Sequence, residues 1–185
     1  MMTNAELAIL SLLVEKPLHG YQIEQVIEER EMRNWTEVGF SSIYYILKKL
    51  EGKGHIRGQI ERSTGQGPAR KVYYITPPGF QAWREATMQA LSTPITPHSS
   101  FLLGLSNLTG IPAEDALFAL RQYRISMVER AENLRSRWEA IEDHLPFNVN
   151  ALFDFSMTMI DAELSWVTGF IHQLELREEQ SYGKD

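Results

Sequence analysis

The chain has 185 residues, 43% of them apolar and 23% charged, with a net charge of −6 and no cysteine. That composition belongs to one or two small domains that bury a core. It excludes disulfides, thiolate nucleophiles and cysteine-ligated metals, and the acidic balance argues against indiscriminate nucleic-acid binding.

The charge is unevenly spread. Residues 1–80 carry 10 Lys+Arg and 9 Asp+Glu, a net of +1, whereas residues 81–185 carry 8 and 15, a net of −7. Residues 40–76 hold seven bases against two acids. A basic island inside an acidic chain is an expected footprint for phosphate, although a charge count alone equally describes a solvated surface.

The start, MMTNAELAILSLLVEK, places Glu6 and Glu15 in its apolar stretch and has no basic leader, so it reads as a helix and not a signal peptide. No run reaches the length of a membrane span, and the expected location is cytoplasmic. The first helix spans Asn4 to Glu15, with Leu7, Leu10, Leu13 and Val14 on its apolar face, Thr3 or Asn4 as cap, and Pro17 beyond its end. The second runs from about His19 to Arg30 with Tyr21, Ile23, Val26 and Ile27 as apolar positions. MRNWTEVGF is a loop hinged at Gly39. The third helix begins near Ser41 and closes at Gly52 or Gly54.

The period then changes. Residues 55–60 and 70–75 read as short strands around ERSTGQGPA, a hairpin with a long tip. Thr76 caps a helix opened by Pro77 that reaches about Leu91, with Phe80 and Trp83 as buried candidates. STPITPHSS is a linker by composition. A short helix over about 99–108 follows, then two long ones. In the first, opened by Pro112, Leu117, Leu120, Met127, Ala131, Leu134, Trp138, Ile141 and Leu145 step by threes and fours, with Arg124 as the exception, up to a break at His144-Leu145-Pro146. In the second, Phe153, Met157, Ile160, Leu164, Val167, Ile171 and Leu174 form an unbroken seam. Leu152, Phe155, Met159, Ala162, Trp166 and Phe170 give that helix a second apolar face. One face suits the preceding helix, and the other suits a second subunit.

The predicted fold is mainly α. It is a winged helix-turn-helix N-terminal domain with a two-strand wing, plus a C-terminal antiparallel helical dimerisation domain. The expected boundaries are 1–91, a linker at 92–98, and 99–180.

With Ile43, Ile46, Leu47 and Leu50 inward, the third helix turns Ser41, Ser42, Tyr45, Lys48 and Lys49 outward. A helix of this kind fits the DNA major groove. Its hydroxyls and ammonium groups reach phosphates and base edges, and its N-terminus adds partial positive charge. Arg62, Arg70 and Lys71 make the hairpin basic, suited to the DNA backbone or minor groove. If each subunit of a dimer neutralises about four phosphates, the salt slope is near roughly −7. His19, in a Leu-His-Gly-Tyr turn, is expected to satisfy local backbone groups. Trp138 and Trp166 read as core, or, for Trp166 with Phe170 and Met159, as a flat pocket for an aromatic effector.

These segments resemble a known family. LAILSLLVEKPLHGYQIEQVI, FSSIYYILKKLEGKGHI and GQGPARKVYYITPPGFQAW are similar, in order, to the PadR family of bacterial transcriptional regulators. The later helices resemble its longer branch, whose C-terminal helical domain mediates dimerisation. The resemblance implies a winged-helix homodimer on a palindromic operator in double-stranded DNA. It usually represses, and a small aromatic or phenolic effector releases it. By motif position Tyr21 sits at the backbone end of helix two, Ser41, Ser42, Tyr44 and Lys48 lie on the recognition helix, and Arg70 and Lys71 at the wing. Tyr45 stands where many members have proline. The other reading is a winged-helix protein-interaction module without sequence-specific DNA binding. No Gly-rich phosphate loop, His-x-x-x-His pair or nucleophile–base set is present, so neither an enzyme nor a cofactor is expected.

Overall fold

The computed structural model describes residues 2–34, 36, 39, 43–61, 69–94, 99–141 and 145–182. It divides into two compact units, Met1–Thr96 and Pro97–Asp185.

The first unit is organised around α1 (Asn4–Glu15). Thr3 is its cap: Thr3 Oγ1 accepts from the Glu6 N–H and the Glu6 carboxylate accepts from the Thr3 N–H, a reciprocal capping box. Ala8, Ile9, Leu10, Leu12 and Leu13 are all buried, a wider stripe than the predicted face, because α3, α4 and β3 all pack on this helix. β1 (Leu18–His19) leads into α2 (Gly20–Glu29), and a 3-10 turn at Met32–Asn34 follows. Tyr21, counted among the apolar positions of α2, is instead exposed, while Ile23 and Ile27 are fully buried.

α3 (Ile43–Gly52) buries Ile43, Ile46, Leu47 and Leu50, as its spacing predicts. Of the two glycines offered as its stop, Gly54 has the left-handed conformation, at φ 71°. The Gly54 N–H donates to the Glu51 carbonyl and the His55 N–H to the Leu50 carbonyl, the paired bonds of a Schellman close. β2 (Ile56–Glu61) and β3 (Arg70–Ile75) then pair antiparallel, from Ile56 opposite Ile75 to Glu61 opposite Arg70. These are the two strands of the predicted wing, and among the described residues a third joins their sheet. Leu18 and His19 add a short strand on the other side of β3, opposite Tyr73 and Val72. Two residues are too few to carry a period, which is why the sequence does not announce them.

α4 (Pro77–Ser92) is capped by Thr76 Oγ1, which accepts from the Gly79 N–H at 3.1 Å. The helix start presses on the α3–β2 turn so closely that a Cβ on Gly79 would lie 1.8 Å from the His55 carbonyl oxygen. Trp83 is half-buried against the core and its Nε1–H donates to Ser11 Oγ. Phe80, expected inside, is exposed; it lies one residue round from the Gly79 face, with its ring centroid 5.3 Å from that of Trp83.

The second unit holds α5 (Ser100–Ser106), a 3-10 turn at Leu108–Gly110, α6 (Ala113–Glu139) and α7 (Phe147–Tyr182). α6 and α7 run antiparallel. Leu117 and Leu120 pack with Val167 and Ile171, Met127 and Ala131 with Ile160, and Trp138 stacks on Phe153. Every residue of the predicted α7 seam is buried or half-buried. α6 ends at Glu139, before the predicted break, so Ile141 and Leu145 fall outside it and Ile141 is exposed. His144 lies outside the described residues.

Candidate nucleic-acid interface

The outward face of α3 follows from its inward one. At about 100° per residue, burying positions 43, 46, 47 and 50 leaves Tyr44 and Lys48 adjacent on one flank and Tyr45 and Lys49 on the other. Tyr44 and Tyr45 are 61% and 68% exposed, and both lysines are exposed. Ser41, Ser42 and Arg62 lie outside the described residues.

The two flanks differ in what they touch. Tyr44 reaches toward α2. A Cβ on Gly20 would meet the Tyr44 ring at 2.6 Å, so a side chain at the start of α2 would displace the ring from this position. His19, Tyr21, Tyr44, Arg70, Lys71 and Tyr73 line one depression of about 320 Å³ around Gly20. Four of the sequence-predicted residues, Tyr21, Tyr44, Arg70 and Lys71, thus meet there from α2, α3 and β3, whereas Tyr45, Lys48 and Lys49 do not line it. Nor does a carboxylate.

Lys49 faces the other way. Its Nζ lies 3.2 Å from Oε1 of Glu6, and Lys53 Nζ lies 2.7 Å from the same oxygen. Glu6 is 1% exposed. Burial pushes its carboxyl up, but the Lys53 ammonium, the Thr3 N–H and Lys49 together overcome this and hold it down to about 2. A buried carboxylate in α1 therefore draws both lysines inward and ties α1 to α3. Sequence reasoning missed this residue. Its signal was the Thr3-x-x-Glu6 capping box combined with lysines spaced four apart on the facing helix.

Lys71 also has a partner. Its Nζ is 2.8 Å from Glu51 Oε2, while Glu51 Oε1 accepts from the Gly58 N–H at 3.1 Å. The hydrogen bond from Lys71 lowers the Glu51 carboxyl, and the same bond raises the lysine. A Cβ on Gly58 would lie 2.0 Å from Lys71 Cε, so glycine there leaves room for the bridge. Glu51 thereby ties the end of α3 to both wing strands. Among the described residues Lys48 and Arg70 have no carboxylate partner.

His19 caps α2. Its Nδ1 accepts from the Gln22 N–H and its own N–H donates to Gln22 Oε1, both at 3.1 Å, as the expectation of a backbone-satisfying imidazole requires.

In the second unit, Leu152, Phe155, Met159 and Trp166 are exposed on α7 and Phe170 is half-buried. Trp166 stacks on Phe170 at 4.9 Å between ring centroids and meets Phe101 edge-on at 6.0 Å. Phe101 in turn stacks on Tyr123 at 4.3 Å. The Tyr123 hydroxyl donates to Glu163, and burial together with that bond pushes it up to about 12. Phe101, Tyr123 and Glu163 were not singled out from the sequence; they come from three different helices, and no spacing joins them. Trp138 donates through Nε1–H to Asn150 Oδ1. Among the described residues no cluster of His, Asp or Glu suits a metal ion, and no helix is long and apolar enough to cross a membrane.

No curated protein matches the chain. Among solved structures, Bacillus subtilis PadR in complex with operator DNA aligns with a TM-score of 0.76 at 21% identity, covering 91% of this chain and 98% of that one. The same Bacillus subtilis protein in complex with p-coumaric acid aligns at 0.77 and 20% identity, covering 92% and 98%. A PadR-like transcriptional regulator from Bacillus cereus aligns at 0.67 and 22%, covering 94% and 99%. Residues 9–85, from mid-α1 through the wing into α4, match the transcriptional regulator PadR-like family. That match covers the winged-helix part of the chain, and the solved structures share its fold of a winged helix followed by C-terminal helices.

Proposed function

We propose that the protein binds double-stranded DNA as a homodimer in the cytoplasm and represses transcription until a small aromatic compound releases it. Residues 1–91 form the DNA-binding domain, 92–98 the linker and 99–180 the dimerisation domain. The observation that carries the reading is the convergence of Tyr21, Tyr44, Arg70 and Lys71 on one carboxylate-free depression beside the exposed Lys48. In this reading α3 enters the major groove. Tyr44, Tyr45 and Lys48 reach base edges or phosphates, Ser41 and Ser42 meet phosphate at its start, and Arg62, Arg70 and Lys71 follow the backbone. Two such helices read half-sites about 34–36 Å apart. The operator complex of Bacillus subtilis PadR supports this assignment by shared fold.

The exposed row Leu152, Phe155 and Met159 is covered by a second subunit. Trp166 and Phe170, with Phe101 and Tyr123 beside them, hold the effector; the Bacillus subtilis complex with p-coumaric acid supports an aromatic ligand. The effector weakens DNA binding only by its differential affinity for the released arrangement of the two wings.

Lys48→Ala tests the assignment. Expected is weaker retention on duplex DNA with the dimer intact by sedimentation. Unchanged affinity at physiological salt refutes it, and retention on an acidic partner in place of DNA favours a protein-interaction module. Tryptophan fluorescence titrated with phenolic acids and cationic dyes tests the effector pocket; no saturable change with either class counts against it.

A further inference from the structure

Both ring nitrogens of His19 face groups that only donate. Nδ1 lies 3.1 Å from the Gln22 N–H, and Nε2 lies 3.1 Å from Nη1 of Arg70. A neutral imidazole has one N–H and one bare nitrogen, so it accepts at one of these positions and not at both. The cap decides which. It is reciprocal, with the His19 N–H donating to Gln22 Oε1, and it serves first-turn amides of α2 that otherwise have no intrahelical partner. Nδ1 is therefore the bare nitrogen and Nε2 carries the proton. Nε2–H and the guanidinium then face each other as two donors with no acceptor between them.

That conflict sits on the depression also lined by Tyr21, Tyr44 and Lys71. Among the described residues Arg70 has no carboxylate partner, and the nearby Glu51 is committed to Lys71 and the Gly58 N–H. An anionic acceptor that receives both N–H groups resolves this conflict.

We propose that His19 and Arg70 form a clamp on one backbone phosphate of the DNA, His19 supplying a neutral Nε2–H and Arg70 the charge. The clamp rests on the DNA-binding reading above and assigns to His19 a duty beyond capping. The phosphate oxygen accepts from both groups, which turns a donor–donor contact into two charge-assisted hydrogen bonds. The flanking glycine, Gly20, leaves room for the Tyr44 ring at the same edge.

The test uses the full chain labelled with 15N-histidine, with His19 assigned by its loss in His19→Asn. Expected in the free protein is a His19 ring bare at Nδ1 and protonated at Nε2. Adding duplex DNA from upstream of the protein's own gene shifts the Nε2–H signal saturably, whereas inorganic phosphate at the same phosphate concentration does not. A proton on Nδ1, or an Nε2 signal indifferent to a duplex that binds, overturns the clamp. A saturable shift with inorganic phosphate alone also overturns it, as it makes the site one for free phosphate. His19→Asn keeps the cap and is expected to lose roughly tenfold in affinity, with the melting temperature unchanged. The salt slope also stays the same, because a neutral donor releases no counterion. Arg70→Ala lowers both affinity and slope, and the double variant loses less than the product of the two single losses. Affinity of His19→Asn within about twofold of wild type, independent losses, or a loss matched by a lower melting temperature overturns the proposal. Failure of the wild-type protein to bind duplex at all is a separate result; it removes the DNA-binding reading itself and the clamp with it.

Discussion

Glu6→Gln isolates the charge that ties α1 to the outward helix α3. The substitution keeps the side-chain shape and an oxygen for the Thr3 N–H, and removes the negative charge that Lys49 and Lys53 share. A carboxyl held at about 2 against an ordinary 4.5 corresponds to about 3.4 kcal/mol. The two lysine side chains are 40% and 37% exposed, and solvent screening reduces the expected loss to about 2 kcal/mol. The folded carboxyl lies below its unfolded value. Its contribution is therefore full above about pH 5 and is lost as pH falls from about 4.5 towards 2. By pH 3 roughly 40% of it remains. Urea-dependent hydrogen exchange of the amides in α1 and α3 reads the stability of this unit alone. The variant is expected to be less stable at pH 7 by about 2 kcal/mol, with the gap more than halved at pH 3. Equal stability at pH 7, or a gap that does not change with pH, refutes the reasoning.

Lys48→Ala is expected to reduce the magnitude of the salt slope by about 0.9 per protomer with no change in melting temperature, measured by fluorescence anisotropy across a salt series. Glu51→Gln frees Lys71 from its ion pair while keeping an acceptor for the Gly58 N–H; DNA binding becomes tighter and the slope steeper by up to about 0.9 per protomer in the same assay. Gly79→Ala forces a Cβ against the His55 carbonyl oxygen, and backbone has nowhere to yield there; a loss of about 3 kcal/mol is expected by denaturant unfolding of the first unit. Phe155→Glu places a charge on the exposed row of α7, and sedimentation is expected to show a monomer.

Much of this architecture was legible because the residues repeat with a period. The apolar positions 43, 46, 47 and 50 set the orientation of α3, and the α7 seam from Phe153 to Leu174 does the same within the second unit. What escaped was either too short or too long-range to leave a period. β1 has two residues. Glu6 reads locally as a first-turn acid, and its burial depends on lysines more than 40 positions away. Lys49 and Lys71 look like Lys48 in sequence, yet each has a carboxylate beside it that no local spacing announces. Phe80 is apolar yet exposed, because the face of α4 that meets the core is set by Gly79 and Trp83. The aromatic cluster of Phe101, Tyr123, Trp166 and Phe170 joins three helices, and only the packing of α5 onto α6 and α7 reveals it.

The central claim is that α3 and the wing meet DNA, and a mobility-shift titration of the purified chain against DNA upstream of its own gene tests it most directly. At low and physiological salt, the account predicts a discrete complex that survives unlabelled nonspecific competitor and weakens as salt rises. No retention at low salt, on that DNA or on any other duplex, contradicts it.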